Sequence, residues 1–260
     1  MGEAKRRKQT GIPSSGKSGK SGKSGKSGKS GKSGKSGNRG LIIGIAAVVA
    51  IAVFAGLYFL TSSPEPGSDA LPVAAPDAQP FPAQLDQYGV SVGDENAPVV
   101  VREFADYQCP ACGRFSEASK RLKQEYVETG KVRFVYFDLP LRQHESAMPA
   151  ALAARCAGDQ DAYWQMHDQL YGSQTEWSGS NDPVATFTRY AGDLGLNERR
   201  FRNCMESELH REDVEQSRQA ASQMRVMGTP TVYVDNIQLT RPGWGQLSAV
   251  VERELNKQAN

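Results

Sequence analysis

Histidine and cysteine are scarce in this 260-residue chain, with three of the first and four of the second. That scarcity limits metal chemistry. A zinc site built on the closely spaced Cys109 and Cys112 needs a second pair of ligands. Cys156 and Cys204 stand too far apart in sequence to supply it, and His144, His167 and His210 are isolated. No metal and no other cofactor is therefore expected. Acidic residues are nearly missing from the first forty positions, which hold twelve Lys or Arg against the single acid Glu3, a local charge of +11. The rest of the chain carries 28 Asp or Glu and comes to −9, so the formal total of +2 hides a basic tail joined to an acidic globule. An acidic globule has no electrostatic reason to seek phosphate backbones, which argues against nucleic-acid binding.

Long apolar runs are also rare. One stands out, LIIGIAAVVAIAVFAGLYFL from Leu41 to Leu60, without a single charge. Twenty such residues suffice to cross a hydrocarbon core of roughly 30 Å as a helix. The run is longer than the apolar region of a signal peptide, and TSSPEPG after it offers no clear cleavage pattern. It reads as a single-pass cell-membrane anchor, and the basic tail before it places the N-terminus in the cytoplasm and the rest of the chain outside. Within the tail, Gly11 to Ser18 match G-x-x-x-x-G-K-[ST], the spacing of a phosphate-binding loop. Such a loop needs a strand before it and a helix after it. Here the Ser-Gly-Lys triplet simply repeats, seven copies from Ser15 to Lys35, so the match is an accident of a disordered repeat.

Four segments follow. Residues 1–40 form the basic tail, 41–60 the anchor, 61–85 a Pro/Ala-rich spacer, and 86–260 the folded domain. The domain opens with a buried strand within Ala97–Asp106, then an amphipathic helix from about Pro110 to Gly130, then a second strand in KVRFVYFDL. From about 139 to 226 the pattern is helical, in five segments. Strand character returns at TPTVYVDNIQL, with Asp235-Asn236 as a hairpin turn. A last helix places Trp244, Leu247, Val251 and Leu255 on one face.

Cys109 and Cys112 bracket Pro110 and Ala111 as CPAC, where the first strand gives way to the helix. A thiol at a helix start meets unpaired N–H groups and the positive end of the dipole, which favour the thiolate. The pair can then alternate between dithiol and disulfide, with Cys109 as the attacking sulfur and Cys112 as the resolving one. Pro110 suits the first helical turn, where its missing N–H has no partner to lose. An inert local disulfide is the competing reading. Thr229-Pro230, just before a strand, is a candidate cis peptide.

EFADYQCPAC, the strand-helix-strand unit, the long helical insertion, ARCAGDQDAYWQMHD and GTPTVYV occur in an order that resembles the DsbA family of extracytoplasmic thiol-disulfide oxidoreductases. The resemblance covers about residues 88 to 258. It implies an α/β thioredoxin-like fold with an inserted helical domain, catalytic Cys109 and Cys112, and Thr229 and Pro230 as peptide-binding residues. It also implies that Glu103, six residues before Cys109, is the buried acid that moves protons to and from the inner thiol; an exposed charge at a strand end is the alternative. Pro-Ala departs from the family's strongest oxidant, which carries a His there, a thiol pKa of about 3.5 and a potential of roughly −120 mV. A milder oxidant with a less depressed thiol is expected.

Pairing Cys109 with Cys112 leaves Cys156 and Cys204 as a structural disulfide, or as two buried free thiols. His167, among Trp164 and Leu170, reads as a core residue. The function expected is an oxidase that gives disulfides to reduced secreted or envelope proteins. A membrane reoxidase of the DsbB or vitamin K epoxide reductase type is the partner that the resemblance implies. An isomerase or reductase resting as the dithiol, or a redox-inert binding domain, are the alternatives.

Overall fold

The computed structural model describes residues 70–75 and 78–258, together with Val53. The basic tail and, Val53 apart, the expected anchor at 41–60 lie outside the described residues. Among the described residues no helix is long and apolar enough to cross a membrane.

A five-stranded sheet forms the centre, in the order β1-β3-β2-β4-β5. Its strands are β1 (Val90–Val92), β2 (Val99–Ala105), β3 (Val132–Asp138), β4 (Thr231–Val234) and β5 (Ile237–Gln238). β2 and β3 run parallel and are joined by α1 (Pro110–Leu122), which continues through a π-helical turn (Lys123–Val127). The other neighbours pair antiparallel. Both central strands are buried almost throughout, as their runs of Val and Phe require. Alternation along β2 divides the core into two clusters. Val101 and Glu103 share a face with Phe134, Tyr136 and Val232, and this face is covered by α1 and the C-terminal helix α8 (Trp244–Gln258). Phe104 lies on the other face, against Val135, Phe137 and Tyr233.

Six helices lie between β3 and β4 among the described residues: α2 (Ala147–Gly158), α3 (Tyr163–Gly172), α4 (Gln174–Trp177), α5 (Pro183–Asp193), α6 (Glu198–Glu206) and α7 (Arg211–Gln223). They occupy the expected insertion, with one more helix than the sequence indicates; the one-turn α4 is too short to show a periodicity. Local caps set two of the starts: Asp182 accepts from the Ala185 N–H and Asn197 from the Arg200 N–H. α2 is rich in buried alanine, which lets its neighbours approach closely. A disulfide joins Cys156 on α2 to Cys204 on α6. α7 returns to the sheet, where Ala220 and Ala221 cover the second cluster.

The spacer expected at 61–85 is not free along its whole length. Phe81 and Leu85 are buried in the second cluster, Leu85 within a 3-10 helix at Ala83–Tyr88. The Arg102 guanidinium stacks 4.1 Å over the Phe81 ring and forms a buried, two-pronged ion pair with Asp86 at 2.6 and 2.9 Å. Proline content masked these two anchors, so the folded unit begins before residue 86.

Replacing both Cys156 and Cys204 by Ser opens a loop of 48 residues' separation. The chain-entropy account then predicts a loss of roughly 4 kcal/mol in unfolding free energy by urea titration. An unchanged midpoint would show that the bridge does not constrain the unfolded chain.

Candidate active site

The turn from β2 into α1 is organised by Asp106. Its backbone carbonyl accepts from the Cys109 N–H at 3.0 Å, and its carboxylate accepts from the N–H groups of Gln108 at 2.7 Å and Leu141 at 2.8 Å. His144, isolated in sequence, sits with Nδ1 2.8 Å from the same carboxylate. This turn delivers Cys109 as the N-cap of α1, in an extended conformation, with Pro110 at the first helical position. Its side chain makes no ordinary capping bond. The open N–H groups of Ala111 and Cys112 at this helix start nonetheless favour the ionised sulfur.

Cys109 and Cys112 are both free thiols, the first 8% exposed and the second fully buried. Their acidities diverge. Cys109 is lowered to about 4, first because the Cys112 thiol donates to its sulfur; burial opposes this, and the Thr229 hydroxyl and the two backbone N–H groups add to it. Cys112 is pushed far up by burial, by its hydrogen bond to Cys109 and by the charges of Cys109 and Glu103. About 4 lies above the roughly 3.5 of the family's strongest oxidant, on the side that the sequence leads one to expect and close to it. The Pro-Ala dipeptide lacks a histidine, but the resolving thiol, a threonine hydroxyl and two peptide N–H groups hold the thiolate without one.

The Thr229-Pro230 peptide is cis. It brings the Thr229 carbonyl to 3.6 Å from Cys109 Sγ, which donates to it as a thiol. Thr229 Oγ1 is buried without a partner in this arrangement. It is a further donor that favours the ionised Cys109. Pro230 and Ala111 then line a groove of about 400 Å³ that continues over Phe115 and Ala118 to Trp244. A larger depression of about 770 Å³ between α5 and α6, which includes Asp182, Arg189 and Glu206, contains none of these residues. It has no thiol to react with.

Glu103 is 1% exposed, beneath the cysteines on the same sheet face as Tyr136. Ser119 on α1 donates to Glu103 Oε2 at 2.6 Å, while Oε1 is buried with no partner. Burial raises its pKa to about 7, against smaller opposing effects of the Ser119 bond and Lys123. A carboxyl that titrates near neutrality can take up or release a proton at working pH. Ser119 was readable in the sequence: with Cys112, Phe115 and Leu122 it lies on the apolar stripe of α1, where a hydroxyl needs a partner.

His167 packs edge-on to Tyr107, Tyr136 and Tyr171, and burial lowers it to about 4, so it is a neutral core residue. Asp159, Cys204 and His210 bring donor atoms within 4.8 Å of one another. The Cys204 sulfur is already spent in the disulfide, which leaves a histidine held between Asp159 and Asp213.

The depressed Cys109 fixes a pH dependence. In the reduced protein the thiolate contributes stability that is complete above the unfolded thiol's value of 9.0 and is lost as pH falls toward about 4. The oxidised protein lacks this contribution. Thermal unfolding of both forms is expected to show the reduced form losing stability relative to the oxidised form between pH 9 and pH 4. A constant difference would contradict the assignment.

A sequence model of the family described as Thioredoxin matches residues 86–253. The chain is 31% identical over 173 residues to a protein named probable disulfide bond formation protein D of Bacillus anthracis, covering 64% of this chain and 78% of that one. Its fold is similar to oxidised BdbD from Bacillus subtilis, with a TM-score of 0.60 and 23% identity over 72% of this chain and all of that one. It is also similar to DsbA of Chlamydia trachomatis, with a TM-score of 0.58 and 23% identity over 75% of this chain and all of that one. At these identities the two structures speak for the fold alone, and the Bacillus anthracis relative carries the likeness further. The chain belongs to the thioredoxin family, among its DsbA-like thiol-disulfide oxidoreductases.

Proposed function

We propose that this protein works outside the cytoplasm on a membrane anchor, as the oxidase that gives disulfides to reduced secreted or envelope proteins. One observation carries the reading: Cys109 is held at about 4 while Cys112 is pushed far up. A stabilised thiolate favours the reduced pair, and so makes its disulfide more oxidising than that of an unassisted pair. The structural bridge between Cys156 and Cys204 suits an oxidising compartment, and the basic tail before Leu41–Leu60 suits the same topology.

The reaction follows from the two environments. A substrate thiolate in the groove beside Pro230 attacks Cys109, the more exposed sulfur, and the Cys109–Cys112 bond breaks. Cys112 leaves with the electron pair and takes up a proton, which Glu103 supplies. A second substrate thiolate attacks the substrate's own sulfur in the mixed disulfide and expels Cys109 as its stable thiolate. The substrate loses two electrons and the CPAC pair gains them. In reoxidation the Glu103 carboxylate removes the Cys112 proton, so that Cys112 can attack a mixed disulfide between Cys109 and a membrane reoxidase. A DsbB or vitamin K epoxide reductase type of partner fits that step, because it resides in the bilayer that holds the anchor. Thr229 and Pro230 present the peptide backbone beside Cys109.

Acid trapping and alkylation in growing cells is expected to find Cys109 and Cys112 mainly as the disulfide. A mainly dithiol pair would favour an isomerase or reductase. The role of Glu103 is tested separately, by following Cys112 attack on a preformed mixed disulfide between pH 6 and 8. The wild-type rate is expected to rise with an inflection near 7, as the carboxyl ionises. Glu103→Gln is expected to lose that inflection and to be slower by about 100-fold at pH 8. An unchanged profile would remove Glu103 from the proton path.

A further inference from the structure

Two glutamines tie the active-site turn to the helical insertion. Gln174, the first residue of α4, uses both hydrogens of its amide nitrogen, donating to the Tyr107 carbonyl at 2.6 Å and the Cys109 carbonyl at 2.9 Å. Gln108 reaches the opposite way: its amide nitrogen donates to the Ser178 carbonyl at 2.8 Å, and its oxygen accepts from the Ser146 N–H at 2.7 Å. Each side of the junction thus contributes one amide to the other.

Gln174 is held firmly. Three residues on, Trp177 is fully buried, donates its indole N–H to the Leu170 carbonyl at 2.8 Å and stands edge-on to Phe187 at 5.3 Å. The amide lies directly over Gly113, the residue after the CPAC pair. A Cβ at that position would come within 2.5 Å of Gln174 Oε1. Gly113 has no positive φ, so close approach, not backbone conformation, is what its missing side chain permits here.

We infer that Gln174 is a positioning residue for the Cys109 thiolate, through which the helical insertion sets the reactivity of the CPAC pair. The Cys109 carbonyl accepts from the Gly113 N–H at 3.0 Å as well as from Gln174, so the cap carbonyl is fixed from two directions. Fixing it holds the first turn of α1, whose Ala111 and Cys112 N–H groups face the sulfur. The same amide also fixes the Tyr107 carbonyl, two residues before Cys109 in the turn. Without Gln174 both carbonyls lose a donor and the turn loosens, and each change disfavours the thiolate. The inference rests on thiol-disulfide exchange at Cys109 and holds whichever way electrons flow, so it stands or falls separately from the oxidase reading.

Gln174→Met keeps the length of the side chain and removes both donors. The Cys109 pKa, read from thiolate absorbance in the reduced protein, is expected to rise by about one unit, with an equilibrium against glutathione shifted roughly tenfold toward the protein disulfide. Gly113→Ala, which displaces the amide without touching it chemically, is expected to move both readouts the same way. A purely structural role would lower the melting temperature of both variants and leave the pKa in place. An unchanged Cys109 pKa in either folded variant overturns the inference.

Discussion

The N–H groups of Ala111 and Cys112 face the Cys109 sulfur because Cys109 is the residue on which α1 begins. A helix start has donors without partners, and most helices answer them with an oxygen. Here the N-cap side chain makes no such bond, and its sulfur gains acidity from the donors left open. Much of the surrounding structure keeps that arrangement in place. β2 delivers the turn from a buried position, Asp106 closes it, and the cis Thr229-Pro230 peptide covers the sulfur from the other side.

The two thiols differ because the second lies three positions further on, one turn into the helix. One turn of α1 carries the chain from a surface groove into the core, so Cys109 keeps some exposure and Cys112 keeps none. The low dielectric that disfavours a Cys112 thiolate also raises Glu103. Burial therefore performs two tasks with one cause. It makes Cys112 a thiol able to donate to Cys109, and it tunes a neighbouring carboxyl to exchange protons near neutrality.

Much of this was legible in the sequence where chemistry is local. CPAC after a Val- and Phe-rich strand specified the helix start, and Thr229-Pro230 before TVYV marked the cis peptide observed. Both depend on neighbours a few residues away. The Cys156–Cys204 bridge followed from counting four cysteines, and the buried face of α8 from its apolar spacing. Other features depend on contacts distant in sequence. The Cys109 shift draws on Cys112 acting as a donor and on Thr229, 120 residues away, a contact the dipeptide does not show. Phe81 and Leu85 looked like spacer because proline surrounds them, yet they fill the cluster around Phe104 and Phe137. Gln174 gave no signal at all: a glutamine in a polar stretch acquires meaning only when folding lays it over Gly113.

The stabilised thiolate is the claim on which the rest of the account stands. Thiolate absorbance of the reduced protein, titrated from pH 2 to pH 10, tests it most directly, with Cys109 identified by comparison with a Cys109→Ser variant. The account predicts one inflection near pH 4 that disappears in the variant. An inflection near 9, the value of an unassisted thiol, would contradict it.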